Sequence, residues 1–279
     1  MSRGAPRRSH APSSGRRHKP SRGRQASGAA APGGLDPVFG VHAVEALFER
    51  GDPPRELWVQ EGRAEVRLNA LVEQARRAGT RLLGQPREAL DEIAQSGAHQ
   101  GVIAFCAPLV AQSEEALMLR LNGWPHEAPP LLLILDGVTD VHNLGACLRS
   151  ADAAGAHGVI LPKDKTAPLN ATVRKVASGA AESVPVYQVT NLARAMARLK
   201  EAGVWLSGTA GEAEASLFEV DLTGPCALVM GAEGKGLRRL TREACDTLIK
   251  LPMAGSVSSL NVSVAAGICL YEAVRQRHH

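Results

Sequence analysis

Three stretches of the chain hold polar residues at spacings that suit chemistry. Residues 251–261 read LPMAGSVSSLN. A strand-like run, TLIKLPM over 247–253, breaks there at Ala254-Gly255, and an apolar helix-like run begins at Val262. A strand that turns directly into a helix N-terminus offers unpaired N–H donors and partial positive charge. These suit the polar edge of a nucleotide or an anionic oxygen. Ser259 and Asn261 are also the residue types that ordinary helix caps use. In residues 131–155 an apolar strand ends at Asp136-Gly137, and Asn143 sits at the start of a small-residue helix that carries Arg149 six residues on. Asn143 is well placed there as a cap. In CALVMGAEGKGL (226–237) another apolar strand ends at Met230, and Gly231, Gly234 and Gly236 bracket Glu233 and Lys235. Gly-rich polar junctions at strand ends are where an α/β sheet keeps its ligand site.

Several chemistries are excluded by spacing. The glycines of GAEGKG run G-x-x-G-x-G, so the dinucleotide fingerprint fails. Lys235 is followed by Gly236 rather than Ser or Thr, so the triphosphate loop fails too. His142 and His157 have no Ser or Cys nucleophile pattern beside them. The five cysteines (Cys106, Cys147, Cys226, Cys245, Cys269) form no CxxC pair and no cluster with His, so no metal site is read. They read as small buried hydrophobes, and their odd number points to a reducing compartment, the cytoplasm.

The elements that must position these residues follow from periodicity. Residues 131–277 alternate strand and helix: LLLILD, a helix near Asn143, GVILP, ATVRKVASGAA, VPVYQV, LARAMARLKEAG, VWLSGT, CALVM, LRRLTREAC, TLIKLPM and a last helix. That is a parallel α/β domain. Residues 35–107 show a second, smaller α/β alternation, and 108–129 read as a short helix with a Pro-rich linker, a hinge by default. Residues 1–34 hold eight Lys and Arg and no acid, and are expected to be a disordered basic tail. It serves either as a solvated bystander or as a phosphate-seeking arm. The rest of the chain is mildly acidic, with 24 Lys and Arg against 28 Asp and Glu. Any RNA affinity there must come from local basic patches. Aromatics are 3%, which argues against RNA binding by rows of stacked rings. No apolar run reaches 18 residues, so no membrane span is expected.

The three stretches together resemble the motifs of the SpoU/TrmH family of RNA ribose 2′-O-methyltransferases, within the SPOUT class. The first motif's Asn and Arg fall on Asn143 and Arg149, the second motif's Glu on Glu233, and the third motif's Ser and Asn on Ser259 and Asn261. The resemblance covers roughly residues 36–277. It is strongest toward members that methylate a guanosine ribose in large-subunit (23S) ribosomal RNA, and Thr209–Arg277 looks like those members throughout. It implies a methyltransferase domain over 130–279 with a deep trefoil knot, which pattern alone cannot reveal. It also implies an L30-like RNA-binding domain over 35–107, S-adenosylmethionine as cofactor, and a homodimer whose site draws on both chains. Transfer of an already activated methyl needs mainly positioning and oxyanion stabilisation. Arg149 would then stabilise the oxyanion or anchor the adjacent phosphate, since a guanidinium keeps its proton. Glu233 would orient the Arg or the Asn. Asn143 and Asn261 would hold ribose and phosphate, and Ser259 would cap the last helix and join the same network. The backbone around Thr209, Gly231, Leu251 and Leu260 would hold the adenosine. Two other functions fit the same fold: methylation of a transfer-RNA guanosine, and non-catalytic RNA binding in ribosome assembly.

Overall fold

The computed structural model describes residues 32–49, 51–63, 65–95, 97–124 and 128–278. The basic tail lies outside the described residues as far as residue 31. Residues 31–279 form one compact unit built on two sheets.

The smaller sheet is mixed. It comprises β1 (Asp36–Phe39), β2 (Glu56–Gln60), β3 (Arg81–Gln85) and β4 (Val102–Cys106), in the order β1-β4-β2-β3. Helices α1 (Val41–Glu49), α2 (Val66–Arg77) and α3 (Arg87–Ala94) cover it. On α2 the apolar residues Leu68, Leu71 and Ala75 recur at helical spacing and bury one stripe, packing with Leu57 and Ala104. Trp58 and Phe105 meet edge to face with centroids 4.9 Å apart.

The segment expected to be a hinge is folded onto the large sheet. Its helix α4 (Glu114–Asn122) is capped by Ser113, and it buries Leu117 and Met118 in the same core as Ile134 and Met196. Gln112 adds a bridge to Tyr187 at the sheet edge. The short helix was read from sequence, but not that it packs on residues as distant as Met196.

The large sheet takes in β5 (Leu131–Asp136), β6 (Gly158–Pro162), β7 (Val186–Val189), β8 (Trp205–Thr209), β9 (Ala215–Ser216), β10 (Cys226–Gly231) and β11 (Thr247–Lys250). Every pairing is parallel, in the order β7-β6-β5-β10-β8-β11-β9. On one face lie α5 (Val141–Ala153), α6 (Ala171–Ala177), α7 (Ala180–Ser183) and α10 (Val262–Arg277); on the other lie α4, α8 (Leu192–Glu201) and α9 (Arg239–Ala244). All six residues of β5 are buried, with Leu131, Leu133 and Leu135 facing one core and Leu132 and Ile134 the other. A strand covered on both faces explains the unbroken apolar run.

Three element boundaries differ from the sequence reading. The strand TLIKLPM stops at Lys250, so Leu251–Met253 is loop that can line a cleft. The helix read through 171–181 is broken at Ser178, whose φ of 52° is left-handed, and Gly179. The helix after β5 starts two residues before Asn143. None of the described helices is long and apolar enough to cross a membrane.

The two sheets are locked together by Arg174 on α6. Its buried guanidinium donates to Glu182 at 2.6 Å and to the Ala107 carbonyl at 2.9 Å, and lies 3.5 Å from Asp36 on β1. Beside it Lys175 sits over the Phe39 ring at 5.3 Å.

Candidate active site

The β10 junction makes the first half of the site. Past Gly231 the chain folds back, with Ala232 and Gly236 exchanging backbone hydrogen bonds of 3.1 and 2.9 Å. Gly234 and Gly236 take φ of 73° and 66°, which Gly adopts without Cβ strain. A Cβ on Gly231 would overlap the Gly236 and Leu237 backbone. The reversal holds Glu233 at its tip, exposed to solvent.

The β11–α10 junction makes the second half. Asn261 caps α10: its Oδ1 accepts from Ser263 N at 2.9 Å and Val264 N at 3.4 Å. Its Nδ2 donates to Glu233 Oε1 at 2.6 Å and to Asn143 Oδ1 at 2.9 Å. Asn143 Nδ2 donates to the same Glu233 oxygen at 3.1 Å, and Val262 N does so at 3.4 Å. One carboxylate oxygen therefore gathers three N–H donors at the N-terminus of a 16-residue helix, where the helix dipole favours negative charge. Residues from three distant stretches are fixed to one another this way.

Two expected roles move. Asn143 is no cap; Asp140 caps α5 by accepting from His142 N at 2.8 Å, which leaves the Asn143 amide free to face inward. Asn261 rather than Ser259 caps α10. Ser259 lines the adjoining cleft, and among the described residues no hydrogen bond joins it to the Glu233 cluster.

That cleft has a volume of about 640 Å³. Thr209, Gly231, Leu251 and Leu260 all line it, as do Glu233, Ser259 and Asn261. Thr209 is held in place by donating its hydroxyl to the Val229 carbonyl at 3.2 Å. Apolar walls come from Met230, Ile249, Leu251 and Leu260, with backbone from three loops between them. A second cavity of about 740 Å³ opens on the other side of the β10 loop, lined by Asp140, Asn143 and Lys165 and sharing Glu233 and Lys235 with the first.

Arg149 stands apart from the cluster. It lies on the exposed face of α5, and its Nη1 donates to Ser178 Oγ at 3.4 Å. Neither cavity includes it. Within one chain Glu233 is hydrogen-bonded to the two asparagines. Next to that face, α10 exposes Val264, Ile268 and Tyr271, at 50%, 37% and 52%, an uncovered apolar stripe at helical spacing.

The sequence reading passed over the ion pair that braces the β10 loop. Asp136, fully buried at the end of β5, accepts from the backbone N–H of Arg238 at 2.9 Å and from its guanidinium. The signal was an acid closing an otherwise apolar strand, a position where burial demands a partner.

The model of the SpoU rRNA methylase family matches residues 130–271, and that of the RNA 2′-O ribose methyltransferase substrate-binding family matches residues 37–111. The chain is 57% identical to the 23S rRNA (guanosine-2′-O-)-methyltransferase RlmB of Shewanella oneidensis, over 87% of this chain and 98% of that one. It is 60% identical to the protein of the same name in Pseudomonas aeruginosa, over 86% and 96%. Among solved structures it is similar to the SpoU methyltransferase AviRb of Streptomyces viridochromogenes in complex with AdoMet. That match has a TM-score of 0.73 at 29% identity and covers 88% of this chain and 91% of the other.

Proposed function

The chain belongs to the SpoU rRNA methylase family, and we propose that it methylates the ribose 2′-hydroxyl of a guanosine in 23S ribosomal RNA, using S-adenosylmethionine. The observation that carries this is the single cluster joining Asn143, Glu233 and Asn261 at the mouth of a cleft of cofactor size. The relatives named for 23S rRNA, matched over 86–87% of this chain and so including residues 37–111, favour ribosomal over transfer RNA.

The cleft fits the cofactor in chemistry. A flat adenine needs apolar walls, which Leu251, Leu260 and Ile249 supply, and its polar edge needs the backbone groups of the loops after Thr209, Gly231 and Leu251. Gly231 lets the β10 loop fold back close on itself, since a Cβ there would meet the Gly236 and Leu237 backbone. When bound, S-adenosylmethionine supplies a methyl group already activated by its sulfonium. The protein's part is positioning. Glu233 locks Asn143 and Asn261 as rigid polar groups beside the ribose, which lowers the cost of orienting it. Ser259 supplies a further hydroxyl at the cleft wall. Arg149 stabilises charge developing on the 2′-oxygen or grips the neighbouring phosphate, as a fixed cation aimed at an oxyanion does.

Arg149 is read as serving this cluster from a second copy, since within its own chain it hydrogen-bonds Ser178 and lines neither cavity. We read the protein as a homodimer in which the α10 stripe meets its symmetry mate, so that Arg149 of one protomer serves the cleft of the other. The 130–279 domain is taken as the trefoil-knotted catalytic unit; supporting this, α10 returns from β11 across β10 to pack on α5. Residues 35–107 are taken as the L30-like RNA reader, 108–129 as its connection, and 1–34 as a disordered basic arm. The cytoplasm is the proposed compartment.

The test is methyl transfer from labelled S-adenosylmethionine to 23S ribosomal RNA, with the product nucleotide mapped. A 2′-O-methylguanosine is expected. Cofactor binding by calorimetry should persist in a chelator. Methylation of a base, or of transfer RNA alone, would overturn the reading.

A further inference from the structure

The cavity behind the β10 loop has features that the cofactor cleft does not account for. Lys165 and Lys235 stand at its edge, both exposed, and among the described residues neither has an ion-pair partner. The other charges lining it are engaged. Asp136 and Arg238 are paired, Asp140 caps α5, and Glu233 accepts the three donors of the cluster. The carboxylates of Asp140 and Glu233 are tied down by neutral N–H donors, so the two lysine ammonium groups are the charged donors at the rim left to meet an anion.

Lys165 is also held in a conformation a lysine does not choose. Its φ is 58°, the left-handed region, which costs a non-glycine residue roughly 1 kcal/mol or more. Such conformations persist where the surroundings enforce them. Here Ala167 N and Thr166 Oγ1 both donate to the Val138 carbonyl, at 2.8 and 3.3 Å, pinning the 163–166 loop over the cavity. The volume of about 740 Å³ lies within the range of ~300–1,000 Å³ that ligand pockets occupy. The cofactor cleft and the second cavity share the β10 loop that carries Glu233, together with Val262 on α10.

We infer that this second cavity receives the unstacked target nucleotide of the RNA, with Lys165 and Lys235 gripping a flanking phosphate. This deepens the methyl-transfer reading and rests on it. Methyl transfer requires donor and acceptor to approach from opposite sides of one point, and two cavities sharing one wall at Glu233 provide that arrangement. RNA is read mainly where bases can be splayed out, and a lysine serves a phosphate as a point charge.

The test uses the full-length protein and a 23S ribosomal RNA fragment containing the methylated guanosine. The variants are Lys165→Asn (asparagine tolerates the left-handed backbone), Lys235→Ala, the double variant, and the double Arg replacement. RNA affinity should fall about tenfold per lysine, and the slope of log affinity against log salt should flatten by roughly 0.7 per lost phosphate contact. KM for RNA should rise, while S-adenosylmethionine affinity measured alone stays unchanged in Lys165→Asn. The Arg pair should restore most of the loss. An unchanged RNA affinity and salt slope in Lys165→Asn would overturn the inference, and so would a fall in cofactor affinity in its place. Wild-type protein that binds the fragment but transfers no methyl group would overturn the methyl-transfer reading instead.

Discussion

Arg149 and the Asn143–Glu233–Asn261 cluster answer to different parts of the molecule, and substitutions should separate them. Among the described residues the side chain of Arg149 hydrogen-bonds Ser178 alone. Arg149→Ala is expected to lower kcat at least 100-fold while leaving S-adenosylmethionine affinity within about twofold by calorimetry. Arg149→Lys should be nearly as poor, because a point charge on a flexible stem does not replace a planar fork. Near-normal turnover in Arg149→Ala would remove Arg149 from the reaction. The polar residues at the three strand-to-helix junctions, Asn143, Glu233, Ser259 and Asn261, were legible in sequence as candidates. Their bonding was not. Asn143 looks like a cap until Asp140, three residues earlier, is seen to start the helix. Glu233 has two candidate partners until the fold decides which stretch lies opposite it.

Among the elements, the β10 loop and helix α10 lend themselves to test. Gly231→Ala would drive a methyl into the Gly236–Leu237 backbone and open the reversal that presents Glu233. Loss of detectable cofactor binding is expected, with a lowered Tm; binding at wild-type affinity would show that the loop can shift. Gly145 serves packing instead. A Cβ there would lie 2.7 Å from Val176 Cβ and 2.9 Å from the Val173 carbonyl, so the α5–α6 approach depends on it. If the proposed dimer forms through α10, Ile268→Glu should leave a monomer in sedimentation and abolish activity, with S-adenosylmethionine binding weakened less. A dimer that persists would place the interface elsewhere. Strands and most helices were readable because fully buried parallel strands leave long apolar runs. The break at Ser178-Gly179 was hidden, since nothing in RKVASGAA marks which residue turns left-handed.

At the scale of the whole molecule, the unequal charge of tail and body makes a prediction. Deleting residues 1–34 removes eight basic residues from a chain whose remainder is mildly acidic. RNA affinity should fall and its salt slope should become shallower, with the methylated nucleotide unchanged. An unaltered slope would make the tail a bystander. A catalytic fragment must keep α4, since a start near residue 127 would strip Leu117 and Met118 from the core. A fragment beginning at residue 108 is expected to bind S-adenosylmethionine and to lose most activity on ribosomal RNA. Full activity would put substrate choice in the catalytic domain. The existence of two α/β units was legible from the change in pattern near residue 108, but the Arg174 lock between them was not. An arginine in ATVRKVA gives no sign of being buried.

The wholly parallel large sheet has a consequence in time. Strands β5 and β10 pair along their entire length, yet nearly a hundred residues of chain separate them. Loop-closure entropy must be overcome before that pairing returns any energy, and such topologies fold slowly. The β1–β4 sheet lies wholly within residues 36–106 and is synthesised first, so it can form while the remainder is still leaving the ribosome. Refolding from denaturant should therefore show a fast phase followed by one of seconds or longer. Recovery of soluble protein should drop as concentration rises, because half-built parallel strands leave edges open to other chains.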